Sequence, residues 1–557
     1  MAIQLTVFTK SGGILTKVIS LAPDGSISSD ASACVMAHGT ATRIEIDTVR
    51  ELADLIENLP PNRAIALGAL CSGLPDAVKV ISKDRLAKRR LNSAAVSSNI
   101  IARTGSEIVF QEGQPAFALL DHDPKGMPMS VSAELKRLGG FWHAMIAMLP
   151  QLETAARVTR ISTSAGLYRL DTGERFPDSG GLHVYLEIRD GDDIDRFLTT
   201  VHERAWLAGL GWMMVSKSGA LLERSIVDRM VGAPERLVFE AGPVLVKPLA
   251  QGRESRRPTV VDGETLDTVA ACPPLTVVEK AQFDKLLAKE RKRLAPEAAK
   301  ARSAFIAEQA EDLAKRTGKT EQEARWIIER QCEGVLHPDV VLLFDDPELA
   351  GCTVGDVLAD PDRFVGETLA DPLEGVPYGR CKAKVMWSAG NSPWIHSFAH
   401  GRTIYHLKLD AASIRKKLER AAKSDVAKLF AVLTANADVD ATGIENLRNF
   451  AAKLSGASKS SLKDTLKAEQ RKRAERQARE ARSRRLAEQR DPRPEIGAPA
   501  FDAPWLPQMQ ILNDVIGRIR SVRPPARDID ACVARARSLP VPHTHAFSSS
   551  EANHESK

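Results

Sequence analysis

From Val277 to Gly318 the chain reads VVEKAQFDKLLAKERKRLAPEAAKARSAFIAEQAEDLAKRTG, so rich in Ala, Lys, Arg and Glu that it predicts a helix. A second helical run, KTEQEARWIIERQCEGV, follows directly. This block divides the chain, whose 557 residues are in any case too many for one hydrophobic core. Before it, short strands (IQLTVFT, RIEIDT, AIALGAL, EIVF, FALLDHD, GLHVYLEI) mix with helical spacings (TVRELADLIENL, DIDRFLTTVHERAWLAGL). VSAELKRLGGFWHAMIAMLPQL predicts a helix interrupted at Gly139 and Gly140. The expected class is α+β. A mixed region over 1–255 is followed by a helical charged linker over 256–335 and a small β-rich module over 336–408. A basic helical arm over 409–490 comes next, then a short helix and a polar, disordered tail over 491–557.

Composition narrows the class. Aromatic residues are only 5%, which argues against an all-β architecture throughout. No apolar run is long enough to cross a membrane, and MAIQLTVFTKSGG lacks the basic start and long apolar block of a signal peptide. Seven cysteines without a C-x-x-C pair fit free thiols in a reducing cytoplasm. The net charge of +5 is small, but the basic residues are clustered.

Chemistry concentrates in the first region. FALLDHDPKG places Asp121 and Asp123 at the end of an apolar run. If the strand continues through them, both face one side and His122 the other. Paired carboxylates repel unless a cation lies between them, and hard oxygen ligands suit Mg²⁺ or Mn²⁺. The same residues also make good turn chemistry without any metal. In DSGGLHVYLEI, Gly180 and Gly181 let backbone approach a ligand, and His183 follows in a strand, sharing a face with Tyr185 and Glu187. A lone strand histidine is also an ordinary core residue. Asp228 ends another apolar segment, beside Arg229 and Arg236, where it is equally at home as a structural cap.

The ordered set resembles the catalytic core of the archaeo-eukaryotic primase, or primase-polymerase, superfamily, over roughly residues 60–250. The resemblance implies an RRM-like sheet with flanking helices. It implies that Asp121, Asp123 and Asp228 bind divalent metal and carry catalysis, and that His183 contacts the phosphates of an incoming NTP or dNTP. Gly181, Lys125, Arg236 and Arg229 are candidate phosphate neighbours, and Lys217 in SKSGALLERS another. The implied activity is nucleotide transfer to a 3′-hydroxyl on a DNA template.

The later stretch DPLEGVPYGRCKAKVMWSAGNSPWIHSFAHGRTIYHL resembles a small module found beside primase domains in replication proteins of mobile elements and phages. Its SFAHG core, with Lys382, Lys384, His400 and Arg402, is a candidate nucleic-acid contact or simply a packing module. Cys332, His337, Cys352, Cys381, His396, His400 and His406 supply zinc-ligand types in no compact zinc spacing. LKAEQRKRAERQAREARSRRLAEQR reads either as a phosphate-binding arm or, with Glu interleaved, as a solvated helix. No P-loop motif occurs, so a helicase motor is either lost from this protein or supplied by a separate partner. Two further readings are a non-catalytic DNA-binding replication protein on a primase scaffold and a repair polymerase acting with an end-joining ligase.

Overall fold

The computed structural model describes residues 2–36, 38–82, 85–86, 99–380, 382–387, 392–399 and 403–488. His400, Arg402 and Cys381, and the tail expected over 491–557, lie outside the described residues. Residues 1–470 form one compact unit, and Arg471 opens a second. The architecture is mixed α+β.

The first sheet is built from β1 (Ile3–Lys10), β2 (Gly39–Ile46), β3 (Arg63–Ala66), β4 (Ala77–Val80) and β5 (Ile100–Ile101), in the order β3-β1-β2-β4-β5. Helix α1 (Val49–Glu57) starts at Thr48, whose hydroxyl accepts from Glu51 N–H. It buries Val49, Leu52, Ala53 and Ile56, one face at helical spacing.

The second sheet holds the sequence motifs. Strand β6 (Ala116–His122) leads through α2 (Met129–Arg137) and α3 (Phe141–Met148) to β7 (Arg157–Ile161), β8 (Leu182–Ile188) and α4 (Ile194–Leu207). Gly139 and Gly140, at φ +92° and +99°, separate α2 from α3, as the sequence predicts. A hairpin, β9 (Gly211–Val215) and β10 (Leu221–Ser225), follows, and β11 (Thr259–Val261) completes the sheet in the order β6-β8-β7-β11. All its pairings are antiparallel. Strands β6 and β7 therefore run the same way with β8 between them, a split β-α-β arrangement. The largest core spans both of these sheets.

Helix α5 (Val277–Thr317) opens with a Thr276–Glu279 capping box and ends at Gly318, φ +71°. It serves two cores. Phe283, Leu287 and Leu294 pack with Trp206 and Met213, while Phe305, Ile306, Ala310 and Leu313 join the core of the β-rich module with α6 (Glu321–Cys332). The module's sheet comprises β12 (Val335–Leu336), β13 (Thr368–Leu369), β14 (Ala383–Met386), β15 (Trp394–Ser397) and β16 (Thr403–Leu407), in the order β12-β16-β15-β14-β13. Helices α7 (Ala411–Glu419), α8 (Val426–Asn436) and α9 (Ala441–Ser455) close a separate small core with Leu462 and Leu466 at the start of α10 (Lys459–Glu488). Further along α10, Arg471 pairs with Glu475 at 3.0 Å with both side chains exposed, the i,i+4 pattern of a solvated helix.

Ser397 of SFAHG is a structural anchor. Its hydroxyl donates to buried Asp371 at 2.5 Å, and Asp371 also accepts from the backbone of Leu373 and Glu374 at 2.8 and 2.9 Å. Tyr405 donates to the same carboxylate at 3.3 Å. Asp371→Ala strips the buried donors of their acceptor, so a loss of about 3 kcal/mol is expected, read by urea unfolding; Ser397→Ala should cost less, about 1 kcal/mol.

Candidate active site

Register places the motif residues across three strands. Asp121 stands opposite His183, and His183 opposite Arg160, so all three share one face of the sheet. His122 points the other way, its ring 4.6 Å from that of Phe141 and its Nδ1 2.7 Å from the Ile226 carbonyl. On that helix-covered side a cavity of about 310 Å³ is lined by His122, Leu135, Phe141, Ile161, Gly181 and Leu182.

The alternation stops short of Asp123. Strand β6 ends at His122, and Asp123 sits exposed in the following turn, where its Oδ1 accepts from Lys125 N–H at 3.0 Å. The third acid is brought in by backbone. Asp228 N–H donates to the Asp121 carbonyl at 2.9 Å, which lays residue 228 along the free edge of β6. The Asp228 carboxylate accepts from Met230 N–H at 2.8 Å. Turn chemistry thus holds Asp123 and Asp228 beside the end of the strand that carries Asp121.

Electrostatics records their proximity. Burial pushes the Asp121 carboxyl above the usual carboxylate value; Asp228 and Asp123 push the same way, while His183 and Arg236 pull it down. Among the described residues, no three His, Cys, Asp or Glu side chains stand close enough together to hold a metal ion. The donor chemistry, three carboxylates at one sheet end, suits Mg²⁺ or Mn²⁺. Asp123 and Asp228 each engage one carboxylate oxygen with their own turn, which leaves the other oxygen of each for a ligand.

His183 is fixed by a residue that the sequence reading does not single out. Its Nδ1 lies 2.5 Å from Glu240 Oε1, leaving Nε2 directed at Asp121, 3.6 Å away. Glu240 is 1% exposed and is saturated with donors. Tyr185 OH donates to it at 2.7 Å, Arg160 at 3.2 Å and Arg256 at 3.4 Å. Burial alone would raise the Glu240 carboxyl; His183, Arg160 and Tyr185 together bring it down to about 2. Burial alone would lower the His183 imidazole, but Glu240 and Asp121 outweigh it and hold it above its ordinary 6.5.

The other candidates distribute as follows. Arg236 is exposed, donates to the Met230 carbonyl at 2.6 Å and acts on Asp121 through its charge. Arg103, also missed in the sequence, donates to the Glu235 carbonyl at 2.8 Å, with its Nε covered and unbonded. Lys125 is exposed on the turn after Asp123. Arg229 lies 3.5 Å from Glu223. Lys217 pairs with Glu308 of α5 at 3.3 Å, both side chains exposed. Gly180 adopts φ +73°, and a Cβ on Gly181 would come within 3.2 Å of the Ser162 side chain. Lys384 lies in the β-rich module, on β14 opposite His396. His337, one of the zinc-type residues, bonds Asp438 at 3.0 Å. No helix among the described residues is long and apolar enough to cross a membrane.

Comparison of the chain with protein-family models, curated protein sequences and solved structures finds no match.

The Glu240–His183 pair sets two pH limits. The Glu240 contribution to stability is fully present above its ordinary 4.5 and is lost as pH falls toward about 2. The His183 contribution is fully present below 6.5 and is lost as pH rises through its elevated folded value. In metal-free protein, Glu240→Gln should lower the His183 pKa, read from imidazole proton shifts by NMR. An unchanged titration would mean that Glu240 does not hold the ring charged.

Proposed function

We propose that this chain is a template-dependent nucleotidyltransferase of the primase-polymerase type, acting in mobile-element or phage-type replication beside a separate helicase. One observation carries the reading: Asp121 and His183 face each other on a split β-α-β sheet while Asp228 is hydrogen-bonded along the edge of the same strand. That is the order and placement the resemblance implies for its acidic and histidine motifs.

Asp121, Asp123 and Asp228 would hold Mg²⁺ or Mn²⁺, which when bound supplies Lewis-acid polarisation of the phosphates and acidifies the attacking hydroxyl. His183, whose imidazole Glu240 pushes above its ordinary value, offers Nε2 to a triphosphate oxygen, as a charge-assisted donor when protonated. Arg236 adds a second cation on the same side. The 3′-oxygen bonds to the α-phosphorus, the α–β bridging bond breaks, pyrophosphate leaves and the hydroxyl proton passes to solvent.

A non-catalytic DNA-binding role on the same scaffold is favoured by a different observation, the commitment of Asp123 and Asp228 to their own turns. Primer extension separates the two. Purified protein with primed and unprimed single-stranded template, labelled NTPs or dNTPs, and Mg²⁺ or Mn²⁺ should incorporate nucleotide. Asp121→Ala and Asp123→Ala should each reduce incorporation by roughly a hundredfold while leaving template binding intact. No incorporation under any of these conditions overturns the enzymatic reading.

A further inference from the structure

The β-rich module presents an unusual outer face. Ala383, Val385, Ile395, Ser397, Tyr405 and Leu407 point inward and are buried. Opposite them, Lys384, His396 and Ile404 form one cross-strand row, and Met386, Trp394 and His406 the next. Phe398 continues this face beyond the end of β15. It is 55% exposed, with its ring stacked on His396 at 4.9 Å and 22°. Ile404 in the adjacent row is 45% exposed.

None of these outward residues is Asp or Glu, so the face combines rings, apolar surface and basic groups. That combination is complementary to a single-stranded nucleic acid, whose unpaired bases offer π-faces and whose phosphates offer negative charge. A duplex hides its base faces and would leave the rings unused.

The module's place in the fold adds a second argument. Its Glu374 accepts from Ser218 of the β9–β10 turn at 2.8 Å. Tyr378 hydrogen-bonds Arg224 of β10 and lies within the electrostatic reach of Asp228. The module is thus seated against the hairpin that delivers the third acid.

We infer that the outer face of this sheet, centred on Phe398, His396, Trp394 and Lys384, is a base-stacking platform for single-stranded nucleic acid. Its role as a template path rests on the proposed polymerase function; its binding of a strand does not.

The test uses the full chain carrying Asp121→Ala, without nucleotide or divalent metal, so binding is read apart from catalysis. Fluorescence anisotropy compares labelled oligothymidylate, oligouridylate and an abasic strand of equal length. Phe398→Ala should weaken binding of oligothymidylate, oligouridylate or both by roughly tenfold, with the salt slope unchanged and the abasic strand little affected. Lys384→Ala should instead lower the salt slope by about one. Phe398 is exposed, and an unchanged melting temperature confirms that its variant is folded. Equal binding of base-bearing and abasic strands, or no effect of Phe398→Ala, overturns the proposal. So does self-association of the parent that Phe398→Ala abolishes, since the face would then pair two copies of the chain. Strand binding that depends on Phe398, together with failed primer extension, leaves the platform standing and removes only the polymerase reading.

Discussion

The buried carboxylate of Glu240 is the constraint on which the candidate site depends. An isolated carboxylate in that position would cost several kcal/mol, so it is retained only with its full set of partners. Those partners come from separate parts of the chain: His183 and Tyr185 from β8, Arg160 from β7, and Arg256 from the segment before β11. Arg160 also donates to the Ile56 carbonyl at the end of α1. Two residues before Glu240, Val238 bridges Ile65 of β3. One ionic cluster therefore fastens the first sheet and its helix to the face of the second sheet that bears Asp121. The orientation of His183 follows from it: with Nδ1 engaged, Nε2 is the nitrogen left toward the acids.

The acids obey a different rule. Asp121 is held by strand register, whereas Asp123 and Asp228 are held by hydrogen bonds to their own turns. Local turn geometry sets where those two carboxylates begin; burial first, and then the charges of Asp228 and Asp123, push the Asp121 carboxyl upward. A divalent cation between the acids would offset the repulsion among them.

Much of the fold was legible because it rests on local periodicity. FALLDH and LHVYLEI alternate or run apolar as buried strands do, and Gly139-Gly140 breaks a helix where positive φ is required. The limits were also physical. Asp123 was expected to share a face with Asp121, but the strand ends one residue earlier. Glu240 sits in RLVFEAGP, which reads only as extended chain; its partners lie 16 to 80 residues away, and no spacing rule spans that distance. The β9–β10 hairpin had a readable signal, two apolar runs around SKSG. The charged block over 256–335 carried a composition that identified a helix but not the two cores it serves, because burial on a long helix depends on what the remainder of the chain packs against it.

The central claim is that Asp121, Asp123 and Asp228 form one metal-binding set facing His183. It is tested most directly by a crystal structure of the protein with Mn²⁺ and a non-hydrolysable nucleoside triphosphate, using anomalous scattering to locate the metal. The account predicts an Mn²⁺ peak ligated by these three carboxylates, with the triphosphate against His183 Nε2. Mn²⁺ and nucleotide bound elsewhere, or an Mn²⁺ peak that Asp123 and Asp228 do not ligate, would contradict it.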